Sequence, residues 1–235
     1  GTRIGGTSIL TGGQTLTFFE EGYPIWYLLG YKMTGVDKAT GEAIYYDKDG
    51  NGEITTEDRV NLGSAIPDFT YGFTITLNWK NLDFMAYGAG AHGNKLMYAM
   101  LSGGATGYNR PSYFFENRWT SSNTSATQPS ALYQVNDNRY YASDAMVFDA
   151  SYFKIKQIQL GYTLPKSLLQ KAAISSARFF VSLDNFFTFT KYIGSDPELN
   201  ATGSSYGVNG ASAMAMDFGG YPLSKSVSVG VNVAF

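Results

Sequence analysis

The chain has 235 residues, a formal net charge of −2, no cysteine and one histidine, with 15% charged and 16% aromatic residues. A charge this close to balance gives no electrostatic footprint for nucleic acid, the lack of cysteine excludes disulfides and thiolate metal sites, and no apolar run is long enough for a transmembrane helix. Soluble domains usually carry about 25% charged residues; the shortfall, with 18 Tyr and 16 Phe, points to strands that meet lipid between aromatic girdles.

Residues 1–34 are rich in glycine and alternate over Ile9 to Phe19 and Ile25 to Tyr31, which predicts two strands around a Glu20-Glu21-Gly22 turn. Gly12-Gly13 weakens the first. Residues 35–68 form a long connection that contains Asp47-Lys-Asp-Gly-Asn-Gly-Glu-Ile-Thr-Thr-Glu-Asp58. This spacing matches a twelve-residue calcium loop, because Ca²⁺ takes six to eight hard oxygens and alternate acidic residues around a tight turn supply them. The expected metal ligands are Asp47, Asp49, Asn51, Glu53 through its backbone carbonyl, and Asp58, with Gly52 at the turn and Ile54 as the apolar anchor. Asp58 is shorter than the usual bidentate Glu, and the flanks do not read as amphipathic helices. A structural calcium loop is therefore expected, against a solvated Asp/Asn/Gly turn without metal.

Residues 69–80 alternate strictly, with Phe69, Tyr71, Phe73, Ile75, Leu77 and Trp79 on one face and small polar residues on the other. An apolar face with aromatics at both ends is the profile of a lipid-facing barrel strand. Lys80-Asn81 predicts a short turn, after which Leu82, Phe84 and Ala86 continue as the return strand towards His92-Gly93-Asn94. The stretch 93–150 is a long connection with a helical turn at Tyr113 to Trp119. From Tyr152 to Leu164 the apolar set changes parity, as a β-bulge or a strand leaving the membrane would produce. A short helical turn after Pro165 leads to a strand over Ala177 to Phe189. A Gly/Ser/Tyr loop (190–222) precedes the last strand, Leu223 to Phe235, whose odd positions are apolar except for Lys225 and whose even positions are small or polar. Placing Phe235 at the inner rim puts the long loops 35–68, 93–150 and 190–222 on one side and the short turns near 20–22, 80–81 and 165–175 on the other. That asymmetry is characteristic of membrane barrels. The fold class is thus all-β, an antiparallel transmembrane β-barrel segment of about seven strands over residues 1–235.

Several stretches resemble the C-terminal barrel portion of the SusC/RagA family, the TonB-dependent outer-membrane transporters of Bacteroidetes. They include Tyr27-Leu-Leu-Gly-Tyr-Lys-Met-Thr-Gly35, Tyr46 to Arg59, Gly63-Ser-Ala-Ile-Pro-Asp-Phe-Thr-Tyr-Gly-Phe73 and Arg118-Trp119. Tyr152 to Pro165, Asp184 to Tyr192, Asp196-Pro-Glu198, Gly220-Tyr-Pro222 and the terminal Phe235 continue the match in order. The resemblance implies a barrel of about 22 strands whose lumen is plugged. It also implies a SusD-like surface lipoprotein as partner, TonB acting through an N-terminal plug, and import of oligosaccharides or peptides. Neither plug nor signal peptide is recognised here, so this chain is expected to be a piece whose remaining barrel and plug lie elsewhere.

The alternative is a secreted calcium-dependent carbohydrate-binding or adhesion module, which suits the calcium loop but not the aromatic stripe. An enzyme is not expected: His92 is the lone imidazole, no Gly-x-Ser-x-Gly elbow occurs, and Asp83 and Asp184 read as lumen-facing polar residues. In the loop from Ala105 to Arg118, Tyr108, Asn109, Tyr113, Phe114 and Asn117 either contact a sugar or belong to loops that pack on each other and on the lipoprotein, and packing is the favoured reading.

Overall fold

The structure is a computed structural model that describes residues 2–6, 14–101, 110–170, 173–198 and 210–235. In chain order the strands are β1 (Ile4–Gly5), β2 (Thr17–Phe19), β3 (Tyr27–Gly30), β4 (Met33–Val36), β5 (Ala43–Tyr45) and β6 (Val60–Gly63). Two long strands follow, β7 (Phe69–Trp79) and β8 (Leu82–His92), then β9 (Lys95–Tyr98). Helices α1 (Ser112–Glu116), α2 (Ala131–Asn136) and α3 (Asn138–Tyr141) precede β10 (Val147–Asp149). The chain continues with β11 (Tyr152–Thr163), α4 (Lys166–Leu169), β12 (Ser176–Thr190), β13 (Met216–Asp217) and β14 (Ser226–Ala234). These elements form two compact units, one of residues 68–92, 151–190 and 222–235, the other of 1–67, 93–150 and 191–221.

The first unit is a five-stranded sheet in the order β14-β12-β11-β8-β7. Every neighbouring pair is antiparallel. Its alternation of apolar and polar residues is the reason it forms: each strand puts one set of side chains on one face, and the register stacks those sets. Ile75 lies opposite Ala86, Ala86 opposite Ile158, Ile158 opposite Leu183 and Leu183 opposite Val227. Phe73, Gly88, Ile155 and Phe187 make the next row. The parity change in β11 is resolved by a register shift between Ile155 and Gln157, against both β8 and β12. One extra residue, Lys156, lets Ile155 and Ile158 share a face, as a bulge does; the strand does not leave the sheet.

Aromatic rings gather at both ends of this apolar face. Tyr71 stacks on Phe153 at 6.1 Å, and Phe153 stacks on Phe189 at 6.0 Å. Gly88 and Gly90 of β8 make room beneath them: a Cβ at 88 would lie 2.7 Å from Phe73, and one at 90 would lie 2.5 Å from Tyr71. Trp79, Tyr162 and Phe179 stand at the other end. At about 3.4 Å per residue, Tyr71 to Trp79 spans roughly 27 Å of strand, the order of the apolar band of an outer-membrane barrel.

The connections of the sheet are unequal. Trp79 pairs with Leu82, so Lys80-Asn81 is a two-residue turn, with Lys80 in the left-handed region at φ 55°. The β11–β12 connection carries α4. The lead-in to Phe69 and the β8–β11 and β12–β14 connections belong to the opposite end of the sheet, where Phe69 pairs with His92 and Tyr152 with Thr190.

The second unit has its own core of Leu16, Leu28, Met97, Leu101, Phe114, Tyr140, Tyr141, Met146 and Met216, all at most 2% exposed. It contains a four-stranded sheet, β1-β2-β3-β6, a three-stranded sheet, β10-β9-β13, and the β4–β5 hairpin. Here the sequence expectation changes. The strands foreseen in Ile9 to Phe19 and Ile25 to Tyr31 are β2 and β3, and they pair with each other around the 20–22 turn, but outside the five-stranded sheet. The reason is physical: Tyr27–Gly30 is buried at all four positions, whereas a lipid-facing strand needs one outward face and about nine to eleven residues. The described part of the first stretch is short (Thr17–Phe19); residues 9–13 lie outside the described residues. Five of the seven foreseen strands therefore share the barrel-type sheet. The segment 93–150 is likewise folded over much of its described length.

Candidate functional site

The calcium-type loop runs from the end of β5 to a single 3₁₀ turn, Thr56–Asp58, with no helix on either flank. Glycines set its course, Gly50 at φ 74° and Gly52 at φ 87°, backbone angles that favour residues without a Cβ. Asp47 accepts the Gly50 N–H at 2.7 Å through one carboxylate oxygen and the Gly52 N–H at 2.8 Å through the other. Ile54 packs against the core of the unit, which fixes the far side as its apolar character predicted. Asp58 is buried, and it closes the loop. Its carboxylate accepts N–H bonds from Lys48 at 2.8 Å and Thr55 at 2.7 Å, in a capping box with Thr55. The Thr55 N–H, followed by the Lys48 and Asp49 N–H groups, holds the Asp58 carboxyl below the usual carboxylate range against the opposing effect of burial.

One carboxylate oxygen from each of Asp47, Asp49 and Asp58 lies within 4.8 Å of the others. Oxygens bound to one Ca²⁺ at 2.3–2.6 Å are at most about 5 Å apart, so this set fits a calcium ion. Asn51 sits beside it, donating from Nδ2 to Asp49 Oδ2 at 2.9 Å and accepting the Glu53 N–H at Oδ1 at 2.7 Å. The Glu53 side chain is exposed and is not one of the three clustered carboxylates. The spacing thus brings three of the five expected residues together by their carboxylates, with Asn51 hydrogen-bonded to one of them.

On the polar face of the five-stranded sheet lies a constellation that the sequence reading missed. Arg178 of β12 reaches across β11 to Asp83 of β8, with Nε 2.9 Å from Oδ2 and a second, closer bond from the guanidinium to Oδ1. The same guanidinium donates to Gln159 Oε1 at 3.1 Å. Gly161 lies beneath this bridge: a Cβ there would sit 2.3 Å from the Asp83 carboxylate and 2.4 Å from Arg178. A bidentate Arg–carboxylate pair is directional, so β8, β11 and β12 are tied at this point. The available sequence signal was Arg178 and Asp83 occupying the polar parity of their strands.

Other foreseen residues have structural roles. The His92 ring lies 5.2 Å from Phe69 at the strand end, and its carbonyl accepts the Asp68 N–H. Phe114 is 1% exposed, Tyr113 packs edge-on against it, and Asn117 bonds back to the Tyr113 carbonyl at 2.7 Å. These three pack within the unit, as favoured, while Tyr108 and Asn109 lie outside the described residues.

No family model matches the chain. It is 33% identical over 92% of its length to TonB-dependent receptor P3 of Formosa agariphila, covering 23% of that protein. It is 26% identical over 83% of its length to the TonB-dependent receptor SusC of Bacteroides thetaiotaomicron, covering 18% of it. Among solved structures, the RagAB peptide transporter matches 96% of the chain and 24% of its own, with a TM-score of 0.73 at 24% identity, a likeness of fold. The chain spans about a fifth to a quarter of the length of these relatives. They are receptors and transporters, not enzymes, which agrees with the expectation that this chain has no catalytic function. TonB-dependent receptors are outer-membrane β-barrels, and no described helix is long and apolar enough to cross a membrane, which says nothing of strands. Aromatic-capped strands, apolar-out register, unequal connections and sequence likeness converge: the chain is similar in sequence to a stretch of the TonB-dependent receptors, SusC among them, and has the fold of a piece of their barrel wall with its connecting loops.

Proposed function

We propose that this chain is part of the barrel of an outer-membrane nutrient importer that works with a SusD-like surface lipoprotein and takes in oligosaccharides or peptides. The observation that carries the reading is the apolar face continuous across five strands, opposite a mixed face where Thr, Ser, Gln, Asn and the Asp83–Arg178 pair stand with Met85, Tyr87 and Phe180. In a barrel the first face meets lipid and the second lines the lumen. Five strands cannot close so wide a barrel, so the remaining barrel, the plug and the contact with TonB belong to the rest of the transporter. The loop 47–58 is proposed to hold Ca²⁺ through Asp47, Asp49 and Asp58, with Asn51 and the Glu53 carbonyl completing the oxygen set. Bound calcium would offset most of the charge of the three clustered carboxylates and fix the loop against β5 and β6.

The test is to extract the native protein from outer membranes and determine the denatured mass of every polypeptide that co-purifies. The expected result is extraction only with detergent, either as one chain several times larger or with a plug-bearing chain, together with a lipoprotein. A species of about 25.6 kDa that is soluble without detergent overturns the reading in favour of a calcium-bound binding module.

A further inference from the structure

A cleft of about 400 Å³ opens in the loop-built unit between the 37–42 turn and helices α2 and α3. Both walls are fixed. Asp37 accepts the Ala39 and Thr40 N–H groups at 2.7 and 2.9 Å, and Trp119 Nε1 donates to the Lys38 carbonyl at 3.1 Å. The Ser130 N–H donates to the Gly41 carbonyl at 2.8 Å. Gly41 has φ 74°, and a Cβ there would lie 2.6 Å from the Trp119 ring. On the other wall Asp137 is saturated. One of its oxygens accepts from the Arg139 N–H and Nε at 2.9 and 3.0 Å. The other accepts from Tyr45 at 3.2 Å and, more closely, from Tyr133. Asp137 is thus a support that aims Tyr133 and Arg139. Burial, then the bond to Asp137, pushes the Tyr133 hydroxyl up to about 12, so it remains a donor at neutral pH.

Among the described residues that line the cleft, the Glu42 carboxylate and the Asn136 carboxamide make no internal hydrogen bond, and the Arg139 guanidinium, bonded to Asp137 through Nε and lying 5.3 Å over the Tyr45 ring, keeps its terminal NH₂ groups as donors. All three line the cleft with the Tyr133 ring and the Thr40 hydroxyl. Two carboxylates and one guanidinium leave it one net negative charge, which disfavours an anionic ligand. A planar acceptor, a planar donor and an amide able to do both match vicinal hydroxyls, each of which donates and accepts at once. We propose that this cleft is a binding subsite for a neutral oligosaccharide. The inference rests on the importer reading and selects the saccharide branch of it.

The experiment uses the complete transporter purified in detergent, titrated calorimetrically with maltohexaose, cellohexaose and laminarihexaose, with tetra-alanine as competitor. At least one hexaose is expected to bind, and Glu42→Gln with Asn136→Ala should weaken it by about tenfold, since a lost hydrogen bond to a charged group is worth about that factor. Neither side chain has an internal partner, so the melting temperature should not move. Absence of binding by all three sugars, equal binding by the double variant, or displacement of the sugar by tetra-alanine overturns the proposal. The same preparation reports whether the protein needs detergent and retains a lipoprotein, so failure of the cleft is distinguishable from failure of the importer reading.

Discussion

The two units place the same kinds of side chain against opposite surroundings. In the five-stranded sheet Trp79 is 66% exposed and Phe189 57%, whereas Tyr140 in the loop-built unit is 0% exposed and Phe114 1%. Exposed aromatics along one face of long strands need lipid to be stable, because a contiguous apolar patch of that extent is unfavourable in water. The loop-built unit carries its own core, as a water-facing domain does. The protein therefore joins a membrane-type surface to an aqueous-type core within single excursions of the chain.

The sharpest way to break this contrast is truncation on each side of it. Phe114→Ala, within the packed core, should cost about 3–5 kcal/mol, read as loss of the loop unit's resistance to proteolysis in the intact transporter. Phe73→Ala on the sheet should cost far less, because lipid fills the space. Charge inverts the comparison: Ile75→Arg, near the middle of the apolar face, should cost about 2–4 kcal/mol of barrel stability, measured by heat-dependent gel mobility. Thr74→Arg, one residue away on the polar face, should be close to neutral. Equal effects at 74 and 75 would sink the assignment of faces.

Smaller effects sharpen the loop side. Thr55→Ala removes the side-chain cap over Asp58 and should cost about 1 kcal/mol, seen as faster hydrogen exchange over residues 47–58. The Asp58 carboxyl is held below its ordinary value, so its contribution is complete above the ordinary carboxylate range. It should fade as pH falls through the lowered value, and calcium affinity should fall with it. Calorimetric titration with Ca²⁺ at neutral and acid pH checks the sign, and Asp47→Asn should weaken binding at both.

How much of this could be read from sequence follows the same division. Strict alternation over Phe69 to Trp79 and the parity break in β11 declare an exposed face, because period two is a local property. The loop 47–58 declares its oxygens for the same reason. The burial of Tyr27–Gly30 was illegible, since local alternation does not say whether a strand's second face is covered. The Asp83–Arg178 bridge was illegible as a pair, because strand order, not spacing, joins residues 95 positions apart. The cleft likewise joins residues near 40 to residues near 136, and its key members carry no motif.

The bridge over Gly161 has a consequence for descent. Any side chain at 161 displaces the carboxylate or the guanidinium, while loss of Arg178 leaves Asp83 without its counter-ion. Positions 83, 161 and 178 should therefore be inherited as a set, with relatives either keeping all three or having exchanged all three.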